Sequence, residues 1–149
     1  MTTAPSNARP PRLTPPIDTG RWKKEADVKS RVKDLLNYFG WFTWMPSANG
    51  FGQSGQHDHL AIKDGVFLTV ESKFGYNKPS AMQKGFAAQI MANDAFSFCV
   101  NERNIDHFAY WLESFAVAQQ AQQQGLDVPA EHGSRMLNAI SALTDAFAE

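Results

Sequence analysis

The chain has 149 residues, 43% of them hydrophobic and 12% aromatic, which is enough apolar material for one well-packed domain and too little charge, at 19%, for a disordered polyelectrolyte. No apolar run approaches the roughly 20 residues of a bilayer span, the N-terminus carries no signal-like apolar segment, and Cys99 is the single cysteine, so an internal disulfide and a cysteine-built zinc site are excluded. A cytoplasmic protein with no membrane partner is the expectation. The net charge of −1 hides an asymmetry: residues 1–84 carry 12 Lys/Arg against 7 Asp/Glu, and residues 85–149 carry 2 against 8, the distribution of a basic working half and an acidic supporting half.

Residues 1–20 contain five of the eight prolines and read as an extended or disordered arm. From Trp22 to Phe39 the apolar residues Val28, Val32, Leu35, Leu36 and Phe39 form one helical stripe, which Thr19 or Asp18 can cap and Gly40 can end. Glu25 falls on that stripe and is expected to face inward, whereas Lys23, Lys29 and Lys33 face mostly elsewhere. Trp41–Met45 is a short strand, and Pro46–Gln56 a polar, glycine-rich loop. Two strands follow, His57–Lys63 and Val66–Lys73, joined by Asp64-Gly65, the signature of a two-residue type I′ hairpin. Ser80–Asn93 is a helix opened by a Ser80/Gln83 capping box, with Met82, Phe86, Ala87 and Ile90 as its buried face. Ala95–Val100 is a buried strand. Helices over Asn104–Gln123 and Ser134–Ala148 close the chain. The order α, β, β, β, α, β, α, α predicts an α/β fold with a mixed sheet flanked by helices, divided as arm 1–20, core 21–101 and helical extension 102–149, the last packed on the core or forming a homodimer interface.

The hairpin register carries the chemistry. With Asp64-Gly65 as the loop, Lys63 opposes Val66, Ile62 opposes Phe67, Leu60 opposes Thr69, and Asp58 opposes Glu71. Side chains alternate along a strand, so Asp58, Glu71 and Lys73 are expected on one face, with opposed Cβ atoms roughly 4.5–5.5 Å apart. Like charges so placed repel. Lys73 offsets one, and a divalent cation held by oxygen ligands, Mg²⁺ or Mn²⁺, neutralises the remainder. The competing reading is an ordinary Glu–Lys pair at a strand end with Asp58 in solvent. His57 and His59 flank Asp58 and are expected to point to the opposite face, away from any shared ion. His107 and His132 read as surface groups, Cys99 as core, and Trp22, Trp41, Trp44 and Trp111 as packing aromatics.

The helix with Glu25, the run Gly55-Gln56-His57-Asp58, the run Glu71-Ser72-Lys73, and the following helix with Gln83 together resemble the PD-(D/E)XK nuclease superfamily over residues 22–100. The VRR-NUC and Holliday-junction-resolvase-like branch is the most similar. Ser72 departs from the pattern, standing where an apolar residue is frequent. The resemblance implies a restriction-endonuclease-like αβββαβ core and a metal-dependent endonuclease acting on branched, junction or flap DNA. Asp58, Glu71 and the Ser72 backbone carbonyl would bind the metal, with Glu25 as an auxiliary ligand. Lys73 would activate the attacking water and stabilise the transition state, and Gln83 would orient Lys73 or contact the nucleic acid. Lys23, Lys24, Lys29, Lys78 and Lys84 would meet phosphates. The small size suits a phage or mobile-element protein. The alternatives are a non-catalytic nucleic-acid-binding module on the same fold and an assembly protein built on the helical tail.

Overall fold

The computed structural model describes residues 22–46, 55–128 and 130–148; the expected arm, its arginines and most of the glycine-rich loop lie outside them. The elements run α1 (Glu25–Tyr38), β1 (Phe42–Trp44), β2 (His59–Lys63), β3 (Val66–Ser72), α2 (Ala81–Ala92), β4 (Phe96–Val100), α3 (Ile105–Gln123) and α4 (Ala130–Asp145). The protein is an α/β fold with one four-stranded mixed sheet in the order β1-β2-β3-β4. The first three strands are antiparallel and β4 lies parallel to β3, so α2 is the crossover that a parallel pair requires.

Two local devices fix this arrangement. Asp64 and Gly65 both adopt positive φ, 48° and 81°, as a type I′ turn demands. The register is Lys63↔Val66, Ile62↔Phe67 and Leu60↔Thr69, as counted from that turn, but the ladder ends at His59↔Val70. The expected strand from His57 is therefore shorter by two residues, and Asp58 lies beyond it. Gly40, also at positive φ, ends α1. The start of α1 is capped by Asp27, whose carboxylate accepts the backbone N–H groups of Lys23 and Lys24; the expected caps Thr19 and Asp18 lie outside the described residues.

Strand alternation divides the sheet into two unlike faces. Ala61, Leu68, Val70, Phe98 and Val100 pack with Val28, Val32, Leu35 and Leu36 of α1 and Phe108, Trp111 and Leu112 of α3 in the main core. The other face carries Thr69, Glu71, Ser97 and Cys99, and a smaller cluster joins Cys99, Ala87, Ala146 and Phe147 there. The amphipathic tail is part of this structure rather than an outlying extension. Helix α3 supplies much of the core, and α4 packs Ala139 and Leu143 beside it before the turn that follows it, with Ala146 and Phe147, reaches the second face. The predicted burial of α2 is only partly met: Ala87 is buried, whereas Met82 is 63% exposed. Phe42 and Trp44 stand exposed on the edge strand β1. None of the described helices is long and apolar enough to cross a membrane.

Candidate functional site

The site gathers where β3 ends, β2 begins, and the first turns of α1 and α2 arrive. Glu71 is 2% exposed. Its Oε2 is 3.2 Å from Lys73 Nζ and accepts a 2.9 Å hydrogen bond from Gln83 Nε2. Its Oε1 is buried without a partner among the described residues. The Gln83 amide is oriented by its helix cap: Oε1 accepts the Ser80 N–H at 2.8 Å, and the Gln83 N–H donates to Ser80 Oγ. The expected capping box thus also turns Nε2 toward Glu71.

Asp58 occupies a different position from the one the register implied. Its Oδ2 accepts the Ser72 N–H at 2.8 Å, and its Oδ1 lies 3.3 Å from Lys29 Nζ. Lys29 also reaches Glu25 Oε2 at 3.4 Å. Asp58 is therefore tied to the residue after Glu71 rather than opposing Glu71 as a cross-strand neighbour. Because the N–H and C=O of one extended residue point to the same side, the Ser72 carbonyl faces the Asp58 side of β3, as its N–H does. Glu25 is half-buried and held by Lys29 rather than pointing into the core. Lys29 sits among acids rather than lying open to phosphate. Lys23, Lys24, Lys78 and Lys84 are exposed and rim the same end of the sheet, two at the start of α1 and two around the start of α2.

The histidines correct a second expectation, because they do not share a face. His59 is in β2 and opposes Val70 on the α1 side. His57 precedes the ladder and turns to the other side. There one ring nitrogen lies 2.9 Å from Thr69 Oγ1, the other lies 2.9 Å from the Gln83 carbonyl, and the ring packs on Phe86 and Phe147. With the ladder ended, His57 takes the place beside Thr69, and Asp58 swings to the sheet's end. Sequence reading missed this role for His57; a histidine two residues ahead of a strand gives no signal of it.

The electrostatics follow from burial. Desolvation, reinforced by the negative charge of Asp58 and opposed by Lys73, pushes the Glu71 carboxyl up to about 7. Burial alone would lower the Lys29 ammonium, but Asp58 and Glu25 outweigh it and raise it. Burial lowers both His57 and His59, which favours neutral rings.

Among the described residues no three His, Cys, Asp or Glu side chains converge as an ion site; Asp58 and Glu71 are a pair of acids near enough to interact electrostatically. Such a pair still fits a hard cation. Mg²⁺ is commonly held by one or two carboxylates, with water and substrate phosphates completing its shell, and Glu71 Oε1 is a buried acceptor without a donor. Beside Lys73 opens a cavity of about 620 Å³, lined by Trp22, Phe74, Tyr76, Asn77, Lys78 and Asn101 among others. It lies past the carboxyl ends of the parallel pair β3 and β4. Only Lys78 of the Phe74–Pro79 segment was singled out from the sequence; the aromatic-glycine-aromatic run Phe74-Gly75-Tyr76 was the available signal. No protein-family model, no curated protein and no solved structure matches the chain.

Proposed function

We propose that the chain is a divalent-metal-dependent endonuclease of the PD-(D/E)XK type, on the VRR-NUC and junction-resolvase-like pattern, acting on branched, junction or flap DNA. The observation that carries this reading is the state of Glu71: a buried carboxylate with one oxygen clamped by Lys73 and Gln83, the other unpaired, and a second acid, Asp58, in electrostatic range. The order α, β, β, β, α, β over residues 25–100 agrees with the restriction-endonuclease-like core.

Asp58 and Glu71, with the Ser72 carbonyl, would hold Mg²⁺ or Mn²⁺, and Glu25 would be an auxiliary ligand through water or at a second metal. When bound, the ion supplies Lewis acidity toward the phosphoryl oxygen and lowers the pKa of a bound water. The rest belongs to the chain. Gln83 fixes the plane of the Glu71 carboxylate. Lys73, held by Glu71 and lining the cavity, presents its remaining donors to the attacking water and to the charge developing on the phosphoryl oxygens. Lys23, Lys24, Lys78 and Lys84 supply sequence-independent phosphate contacts around the rim.

The test is cleavage of supercoiled plasmid and a four-way junction under Mg²⁺ or Mn²⁺. Glu71→Gln and Lys73→Ala are each expected to lower the rate by about 100-fold or more; cutting that survives both substitutions overturns the assignment. A non-catalytic binding module is favoured by one observation, that Lys29 already compensates Asp58 and Glu25. DNA binding without turnover in any divalent metal would establish that second reading instead.

A further inference from the structure

The cavity beside Lys73 has the size of a small-molecule site, which runs to roughly 300–1,000 Å³. Its position and chemistry narrow the occupant. Trp22, Phe74 and Tyr76 give it aromatic walls, and Asn77 and Asn101 give it amides. Asn101 is 5% exposed, and its Oδ1 accepts the N–H groups of Arg103 and Asn104. That leaves its Nδ2 as the donor, with no partner found among the described residues. Lys73 and Lys78 bring positive charge to the margin.

The backbone of the loop that carries Phe74 and Tyr76 is also fixed in advance. The Gly75 N–H donates to the Glu102 carboxylate, and the Gly75 carbonyl accepts from Arg103 Nη1 at 3.1 Å. The Phe74–Pro79 loop is thereby tied to the residues that follow β4. An aromatic slot on a fixed loop backbone, with amide edges and cationic margins, suits a planar heterocycle attached to a phosphate. Lys73, the partner of Glu71, is one of its lining residues, so its occupant must neighbour whatever phosphate reaches that lysine.

We infer that this cavity receives a single unpaired nucleobase of the bound strand, stacked on Tyr76 and edge-read by Asn101, next to the phosphate presented to Lys73. This rests on nucleic acid being the substrate, and it makes an unpaired nucleotide, rather than sequence, the feature selected. A base within a duplex is stacked on both sides and cannot enter. A bulged or flap nucleotide enters with little unstacking cost.

The test measures binding without turnover, in Ca²⁺, by fluorescence anisotropy. Three probes of equal length are compared: a fully paired duplex, the same duplex with a two-nucleotide bulge, and the bulge with its bases removed but its phosphates kept. The wild-type chain is expected to hold the bulge about tenfold tighter than the other two, as stacking of a base on an aromatic ring implies. Tyr76 is fully exposed, so Tyr76→Ala should keep its melting temperature and its duplex affinity while losing that preference. Equal binding of the base-free bulge, retention of the preference in Tyr76→Ala, or no binding to any probe would overturn the inference. The bulge preference is read separately from cleavage. A chain that cuts in Mg²⁺ without it refutes the pocket alone, and a chain that shows it without cutting refutes the nuclease reading alone.

Discussion

Glu71 holds a charge where its surroundings disfavour one, and that conflict has a measurable pH signature. Its folded-state pKa, about 7, lies above the ordinary 4.5, so the protonated form favours folding. The contribution is fully present below pH 4.5 and is lost as the pH rises to 7, on the order of 3 kcal/mol in all. Glu71→Gln should therefore melt above the wild type at pH 8 without added metal and match it near pH 4.5, and added Mg²⁺ should raise only the wild type at pH 8. Calorimetry across that range checks it; equal melting temperatures at pH 8 would deny the buried charge. His57 and His59 work in the other direction. Their folded pKa values are depressed, so their contribution is present above about 6.5 and lost as the pH falls, and the glutamine variant should keep that acid limb. Asp58, Glu71 and Lys73 were legible in the sequence because acids on apolar strands demand compensation. The partner that compensates Asp58 was not: Lys29 lies one helical turn after Glu25, and nothing in the stripe says that it reaches past it to another element.

Among the elements, the hairpin was the most legible, since Asp-Gly accepts the two left-handed conformations that set its register. Extending the register to Asp58 failed because the alternation rule holds only while the ladder lasts. Gly55, at the head of the Gly55–Asp58 run, illustrates a glycine whose reason appears only in three dimensions. It has φ +80°, and a Cβ there would lie 2.4 Å from the backbone oxygen of Met82 in α2. Gly55→Ala must push the first turn of α2, and with it Gln83, away from Glu71. It is expected to cost roughly 2–4 kcal/mol. Gly85, inside the same helix with open space around it, provides the opposite case: Gly85→Ala should stabilise by about 0.5–1 kcal/mol. Urea titrations of the two variants check both signs, and a neutral Gly55→Ala would show that α2 does not rest on that backbone.

For the whole molecule, the stripes of α3 and α4 were visible in the sequence, but a stripe does not say what it faces. They complete the fold, and the turn just after α4 also reaches the site. Phe147, 7% exposed, stacks on His57, which in turn binds Thr69 and the Gln83 carbonyl. Phe147→Ala is expected to destabilise by about 3 kcal/mol, measured by denaturant unfolding, and a loss well under 1 kcal/mol would mean that the contact is incidental. Lys29 has a consequence of a different kind. By bridging Glu25 and Asp58 it furnishes an internal counter-charge, so the acidic end of the sheet can assemble on the ribosome's schedule rather than wait for a solution ion. On the nuclease reading, birth and arming become separate events, and a newly made chain is structurally mature before it is able to cut.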